Sequence, residues 1–305
     1  MKVDKQNQNV CYNDEKHLYW DENGKYVSVT TLIGKFCQDF DSNFWSGYKA
    51  LEKLLSAEEF KLEKAQLQKA HKIDIQYFCD MYGFTVNDFN KAQQDILDEW
   101  AKTNADSCER GSKIHSELEN KYISKKQCDM KKFGLGGKFE INTNKSLMDR
   151  NADLLDIERG VFPEYLIYRN SPDGKFKLAG QIDLLIKDGN DIYIIDYKTN
   201  KKLEDKSFFD SRTKKSTMMK YPMNNLMDCN KIHYTLQLST YAWMLQKLNP
   251  KFVIKKLMLI HYDHQGNVTE HELEYLKDDV ERMCKFYKKQ SMLESLKASR
   301  RPIEF

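Results

Sequence analysis

Three apolar, β-branched and aromatic-rich runs in the second half of the chain constrain its fold more than any other feature. They are Glu164-Tyr-Leu-Ile-Tyr-Arg169, Phe176-Lys-Leu-Ala-Gly-Gln-Ile-Asp-Leu-Leu-Ile186 and Ile192-Tyr-Ile-Ile-Asp-Tyr-Lys198. Ser171-Pro-Asp-Gly174 and Asp188-Gly-Asn-Asp191 separate them, and both are turn sequences: glycine accepts positive φ and proline presets a turn. Runs of this length joined by tight turns predict an antiparallel three-strand meander, whose middle and last strands each carry an ionisable residue where an apolar one would be expected.

Those residues are Asp183, Asp196 and Lys198. Asp196 and Lys198 lie two apart in a strand, so their side chains leave the same face. After the apolar run Ile192-Tyr-Ile-Ile195 they need a partner or a metal to offset lost hydration. A structural ion pair at a strand end is the competing reading of this spacing alone. A tight hairpin brings Asp183 beside Asp196 as a second carboxylate. Two carboxylates at close range repel unless a cation sits between them, and hard oxygen ligands suit Mg²⁺ or Mn²⁺.

Around this meander the periodicity is helical from about Phe40 to Tyr122 and again from His233 to Leu248 and Lys277 to Lys297. A hairpin over His17–Trp20 and Lys25–Thr30 opens the chain, Val253–Tyr262 and Val268–Tyr275 form a second strand pair, and residues 123–149 read as irregular. No run of about eighteen apolar residues exists that could span a bilayer. The N-terminus lacks the pattern of a signal or transit peptide, which predicts a cytoplasmic protein. The seven cysteines are scattered singly, as expected for free thiols rather than a disulfide or C-x-x-C framework. With a net charge of only +3, any nucleic-acid surface must come from local clusters. Lys201, Lys202, Arg212, Lys214 and Lys215 form one such cluster directly after the third strand. Lysine far outnumbers arginine, a bias that points to an AT-rich phage or bacterial genome.

In motif order the sequence resembles the PD-(D/E)XK nucleases, in the RecB-like branch that includes the AddB nuclease domain, CRISPR-associated adaptation nucleases and the mitochondrial genome maintenance exonuclease. Gly111-Ser-Lys-Ile-His115 looks like the helical G-x-x-x-H motif, Gly180-Gln-Ile-Asp183 like the second-strand aspartate motif, Asp196-Tyr-Lys198 like the D-x-K signature, and Gln237-Leu-Ser-Thr-Tyr241 like the Q-x-x-x-Y helix. The resemblance implies an α/β restriction-endonuclease-like core, a mixed central sheet flanked by helices, over residues 107–305, with a hairpin and helical region over 1–106. It further implies that His115, Asp183, Asp196 and the Tyr197 carbonyl hold Mg²⁺ or Mn²⁺, that Lys198 assists the attacking water, and that Gln237 and Tyr241 position the site. Glu119, one helical turn from His115, and Glu164, at the head of the first strand, are weaker candidates.

Some relatives carry an iron-sulfur cluster held by one cysteine ahead of the histidine helix and three near the C-terminus. Here only Cys284 lies beyond residue 229, so no cluster is expected. The implied activity is metal-dependent hydrolysis of DNA, most in keeping with an exonuclease on single-stranded ends that works beside replication or recombination proteins. Two alternatives stay open at this stage: a catalytically silent DNA-binding or assembly subunit, and a restriction-type endonuclease on the same fold.

Overall fold

Local signals account for the first elements of the computed structural model, which describes residues 10–13, 18–123, 125–143, 153–171, 173–210 and 213–299. Strands β1 (Cys11–Asn13), β2 (Leu18–Asp21) and β3 (Gly24–Ser28) pair antiparallel. Gly24 closes the β2–β3 turn at φ +119, a conformation open to glycine and resisted by other residues. The second strand stops at Ser28 rather than continuing to Thr30: the Ser28 hydroxyl accepts the Thr31 N–H at 3.0 Å and caps helix α1 (Val29–Gly34). His17, expected to begin the first strand, lies outside the described residues.

Two units divide the chain, one made of Met1–Gln38 with Lys113–Phe305 and the other of Asp39–Ser112. The second unit is helical: α2 (Ser42–Leu54), α3 (Ala57–Ala70), α4 (Ile75–Tyr82) and the first part of α5 (Val86–Ile123). Asp41, Ser56 and Asp74 cap α2, α3 and α4, and Ser56 with Glu59 forms a full capping box. Phe44, Tyr48, Leu51, Phe60, Phe78 and Phe89 make its core.

In the first unit the expectation of an irregular stretch over 123–149 is corrected. Strands β4 (Gln127–Met130) and β5 (Leu135–Ile141) pair antiparallel across a 3₁₀ turn at Lys131–Phe133. Gly134 and Gly137 do adopt positive φ, but they shape the hairpin rather than abolish it, and Met130, Phe133 and Phe139 are buried. Residues 144–149 lie outside the described residues.

The predicted meander is present as β6 (Arg159–Asn170), β7 (Lys177–Asp188) and β8 (Asp191–Lys198), antiparallel throughout. Next come the short pair β9 (Phe209–Asp210) and β10 (Lys215–Ser216), helix α6 (Asn230–Leu248), strands β11 (Val253–Tyr262) and β12 (Val268–Leu273), and helix α7 (Lys277–Ser299). β11 runs parallel to β8 and antiparallel to β12, while β5 runs parallel to β6, so the central sheet is mixed. One sheet face packs Ile182, Leu185, Ile192, Ile194 and Leu259 on Leu236, Leu238 and Leu245 of α6. The other packs Leu184, Ile186, Ile195 and Ile260 on Leu118 and Tyr122 at the end of α5. Each fully buried aliphatic side chain contributes about 1.5–3 kcal/mol to holding these layers together. The arrangement is the mixed α/β architecture of a restriction-endonuclease-like core.

Candidate active site

Strand β7 has β6 along the whole of one edge and shares its other edge between two strands. Val27 and Ser28 of β3 pair with Leu178 and Ala179, and β8 pairs from Leu184 onward. Asp183 sits in the fork between those two ladders. The β7–β8 ladder stops at Leu184–Ile195, and beyond it the Tyr197 backbone N–H donates to Asp183 Oδ2 at 2.7 Å. A carboxylate therefore takes a place that a strand carbonyl would fill in a continued ladder.

On the face toward α6, Asp196 is 1% exposed and is held from two sides. Lys198 Nζ lies 2.6 Å from its Oδ2, while Gln237 donates to its Oδ1 at 3.3 Å and to the Tyr241 hydroxyl at 3.2 Å. The Lys198 ammonium is thus the close ionic partner of the buried Asp196 Oδ2. Burial, and then the charge of Asp183, push the Asp196 carboxyl up to about 6, although Lys198 pulls the other way. Burial works against the Lys198 ammonium as well, but Asp196 and Asp183 outweigh it and hold its pKa above the ordinary lysine value. Its Nζ also lies 4.9 Å from the Tyr234 ring centroid.

From the opposite face, α5 brings His115 to the same strands. Its Nε2 is 3.1 Å from the Tyr197 carbonyl oxygen and its Nδ1 3.7 Å from Asp183 Oδ2. Glu164 joins them: ligand atoms of His115, Glu164 and Asp183 all lie within 4.8 Å of one another. Glu164 stands in the middle of β6, between the Pro163–Leu184 and Tyr165–Ile182 pairs, and so opposite Asp183. Its φ of +49 is rare for a residue with a side chain, and Gln181 donates to its Oε2 at 2.6 Å. The sequence places Glu164 at the head of the first strand, but β6 begins five residues earlier and runs through Gly160 and Pro163, so the residue lies mid-strand. The available signal was an acid embedded in Val-Phe-Pro-Glu-Tyr-Leu-Ile.

The other sequence candidates are placed as follows. Glu119 is half-buried on α5 and is not part of the His115 cluster. Lys201, Lys202, Lys214 and Lys215 are exposed, with Lys202 paired to Glu204 at 2.9 Å. Arg212 lies outside the described residues. Among the described residues no helix is long and apolar enough to cross a membrane.

The donor set suits a hard divalent cation with tolerance for one nitrogen: carboxylates from two strands, an imidazole and a backbone carbonyl, with the buried Asp196–Lys198 pair on the same strands. A sheet bordered by helices on both faces, with Asp183, Asp196 and Lys198 gathered at a strand fork, matches the fold and motif placement that the sequence resemblance implies. The chain belongs to the PD-(D/E)XK nuclease superfamily, whose family model matches residues 86–304. No curated protein matches it in sequence. Among solved structures it is similar to one described as the crystal structure of SSO0001, at 18% identity over 48% of this chain and 53% of that one, with a TM-score of 0.27. The chain thus spans about half the length of that protein.

Proposed function

We propose that the protein is a Mg²⁺- or Mn²⁺-dependent deoxyribonuclease of the RecB-like branch, acting as an exonuclease on single-stranded DNA ends in replication, recombination or repair. The observation that carries this reading is the convergence of His115, Glu164, Asp183 and the Tyr197 carbonyl beside the buried Asp196–Lys198 pair. His115, Asp183, Asp196 and the Tyr197 carbonyl are the ligands, with Glu164 as a further one. A bound divalent cation supplies positive charge to the scissile phosphate and acidifies water.

Lys198 does the remaining electrostatic work. Its ammonium is kept charged by Asp196 and Asp183, and it would neutralise charge on the pentavalent phosphorus or orient the attacking water. Gln237 holds Asp196 and is itself held by Tyr241, so both act by positioning. Hydrolysis leaves a 5′-phosphate. The exposed lysines Lys201, Lys202, Lys214 and Lys215, together with Arg212, engage the DNA backbone, and exposed Phe208, Phe209 and Tyr221 offer faces on which unpaired bases stack.

The test is digestion of end-labelled single- and double-stranded DNA and of circular single-stranded DNA, with Mg²⁺ or Mn²⁺, by the native chain and by Asp196→Ala and Lys198→Ala. Loss of cleavage in both variants, by roughly 100-fold or more, is expected. Equal cleavage by all three chains overturns the nuclease assignment, and cutting of the circle overturns exonuclease action alone.

A further inference from the structure

Apart from the nuclease centre, three side chains from distant parts of the sequence meet at one point. They are Cys37, just after α1, Asp228, just before α6, and His233, in the first turns of α6, and their ligand atoms all lie within 4.8 Å of one another. Cys37 Sγ is 3.4 Å from His233 Nε2, and Asp228 Oδ1 is 2.6 Å from that same nitrogen. The Gln38 backbone N–H donates to the other carboxylate oxygen at 2.6 Å and fixes the direction in which Oδ1 points. All three residues are half-buried and so within reach of an ion from solution.

A thiol, an imidazole and a carboxylate together suggest nucleophilic catalysis, but the geometry opposes it. A relay needs the acid on one ring nitrogen and the thiol on the other. Here both crowd onto Nε2, which has a single position for a proton or a lone pair. The Cys37 thiol is also pushed up to about 11, by burial first and Asp228 second, the reverse of what an activated nucleophile requires.

Three donors aimed at one point is instead the geometry of a cation site. With bonds of about 2.3 Å to sulfur and about 2.1 Å to nitrogen, the sulfur–nitrogen edge of a tetrahedral zinc site is about 3.6 Å. The Cys37–His233 separation is close to that value. The shorter Asp228–His233 contact is the hydrogen bond that a metal would replace, and the Gln38 amide is the kind of outer contact that orients a ligating carboxylate. Soft sulfur with nitrogen favours Zn²⁺, in contrast to the oxygen-dominated nuclease centre.

We propose that Cys37, Asp228 and His233 form a second, zinc-type metal site with one open coordination position, which ties the segment after α1 to the start of α6. The site is separate from the nuclease ligands, and it stands or falls independently of them.

The test is titration of the full chain with Co²⁺ as a spectroscopic stand-in and with Zn²⁺ by thermal denaturation. A thiolate-to-Co²⁺ charge-transfer band is expected in the native chain, lost in Cys37→Ser and in His233→Ala, and retained in Asp183→Asn. Affinity for Zn²⁺ is expected to fall about 100-fold or more in the first two variants. In the native chain Zn²⁺ raises Tm and shields Cys37 from a thiol reagent, as mapped by mass spectrometry, a readout that does not depend on any variant folding. A band that persists in Cys37→Ser, or Cys37 labelling that Zn²⁺ leaves unchanged, overturns the proposal.

Discussion

Gly180 faces Tyr241 so closely that a Cβ on the glycine would stand 2.5 Å from Tyr241 Cε1 and 3.1 Å from its hydroxyl oxygen. Two motifs far apart in sequence therefore interlock, since the missing side chain at 180 makes room for the ring that holds Gln237 against Asp196. Gly180→Ala is expected to cost about 1–3 kcal/mol through overpacking and to reduce cleavage without touching a ligand. Combined with Tyr241→Ala, its cost should shrink, because the clash has gone. Urea denaturation of the two single variants and the double variant checks this, and strict additivity would contradict the interlock.

Glu164 reverses the usual preference between glycine and alanine in a strand. At φ +49 an alanine keeps the backbone penalty and a glycine relieves it. Glu164→Gly is thus expected to be more stable than Glu164→Ala by about 1 kcal/mol, with both losing Mn²⁺ affinity relative to the native chain. Denaturation in EDTA and calorimetric Mn²⁺ titration measure the two effects separately.

The Asp196 carboxyl sets a pH dependence whose sign is fixed by its raised pKa of about 6 against an ordinary 3.8. The folded state holds this proton more tightly than the unfolded chain, so its contribution to stability is complete below the ordinary value and lost as pH rises through about 6. In EDTA, the native chain should gain stability relative to Asp196→Asn as pH falls through that window. Stabilisation by Mn²⁺ should weaken over the same range, because proton and cation compete. Parallel denaturation series in EDTA and in Mn²⁺ provide the check.

Asp21 behaves in the opposite way. Its side chain is fully buried, bonded to Lys177, and it accepts from the Tyr26 hydroxyl at 2.9 Å and the Asn23 N–H at 2.8 Å. Burial raises its pKa, but these partners outweigh burial and bring it below the ordinary 3.8. Asp21→Ala leaves Lys177 unpaired against the sheet and is expected to cost about 3 kcal/mol at neutral pH. That difference should stay level above pH 3.8 and shrink only in stronger acid, as native Asp21 takes up its proton.

The meander and the α6 helix were legible because apolar runs, turn residues and helical spacing all act over short distances. The Asp196–Lys198 pairing followed from strand alternation alone. Glu164 was harder to weigh, because its importance depends on a left-handed residue opposite Asp183 and on a strand that continues back through a proline. The β4–β5 hairpin was missed because its glycines read as breakers, although its burial comes from Met130, Phe133 and Phe139 packing beneath it. Cys37, Asp228 and His233 carry no local spacing that could have announced them, since tertiary packing alone brings positions 37 and 233 together.

The carboxylate that accepts the Tyr197 N–H in the strand fork also bears on how an inert enzyme should be made. Alanine at position 183 would remove a proposed ligand and orphan a main-chain donor, so a variant of that kind confounds lost chemistry with a loosened scaffold. Asparagine keeps an oxygen for that amide while surrendering the negative charge. Under the proposed nuclease reading, Asp183→Asn is therefore the substitution expected to keep DNA bound but uncleaved on an undistorted protein.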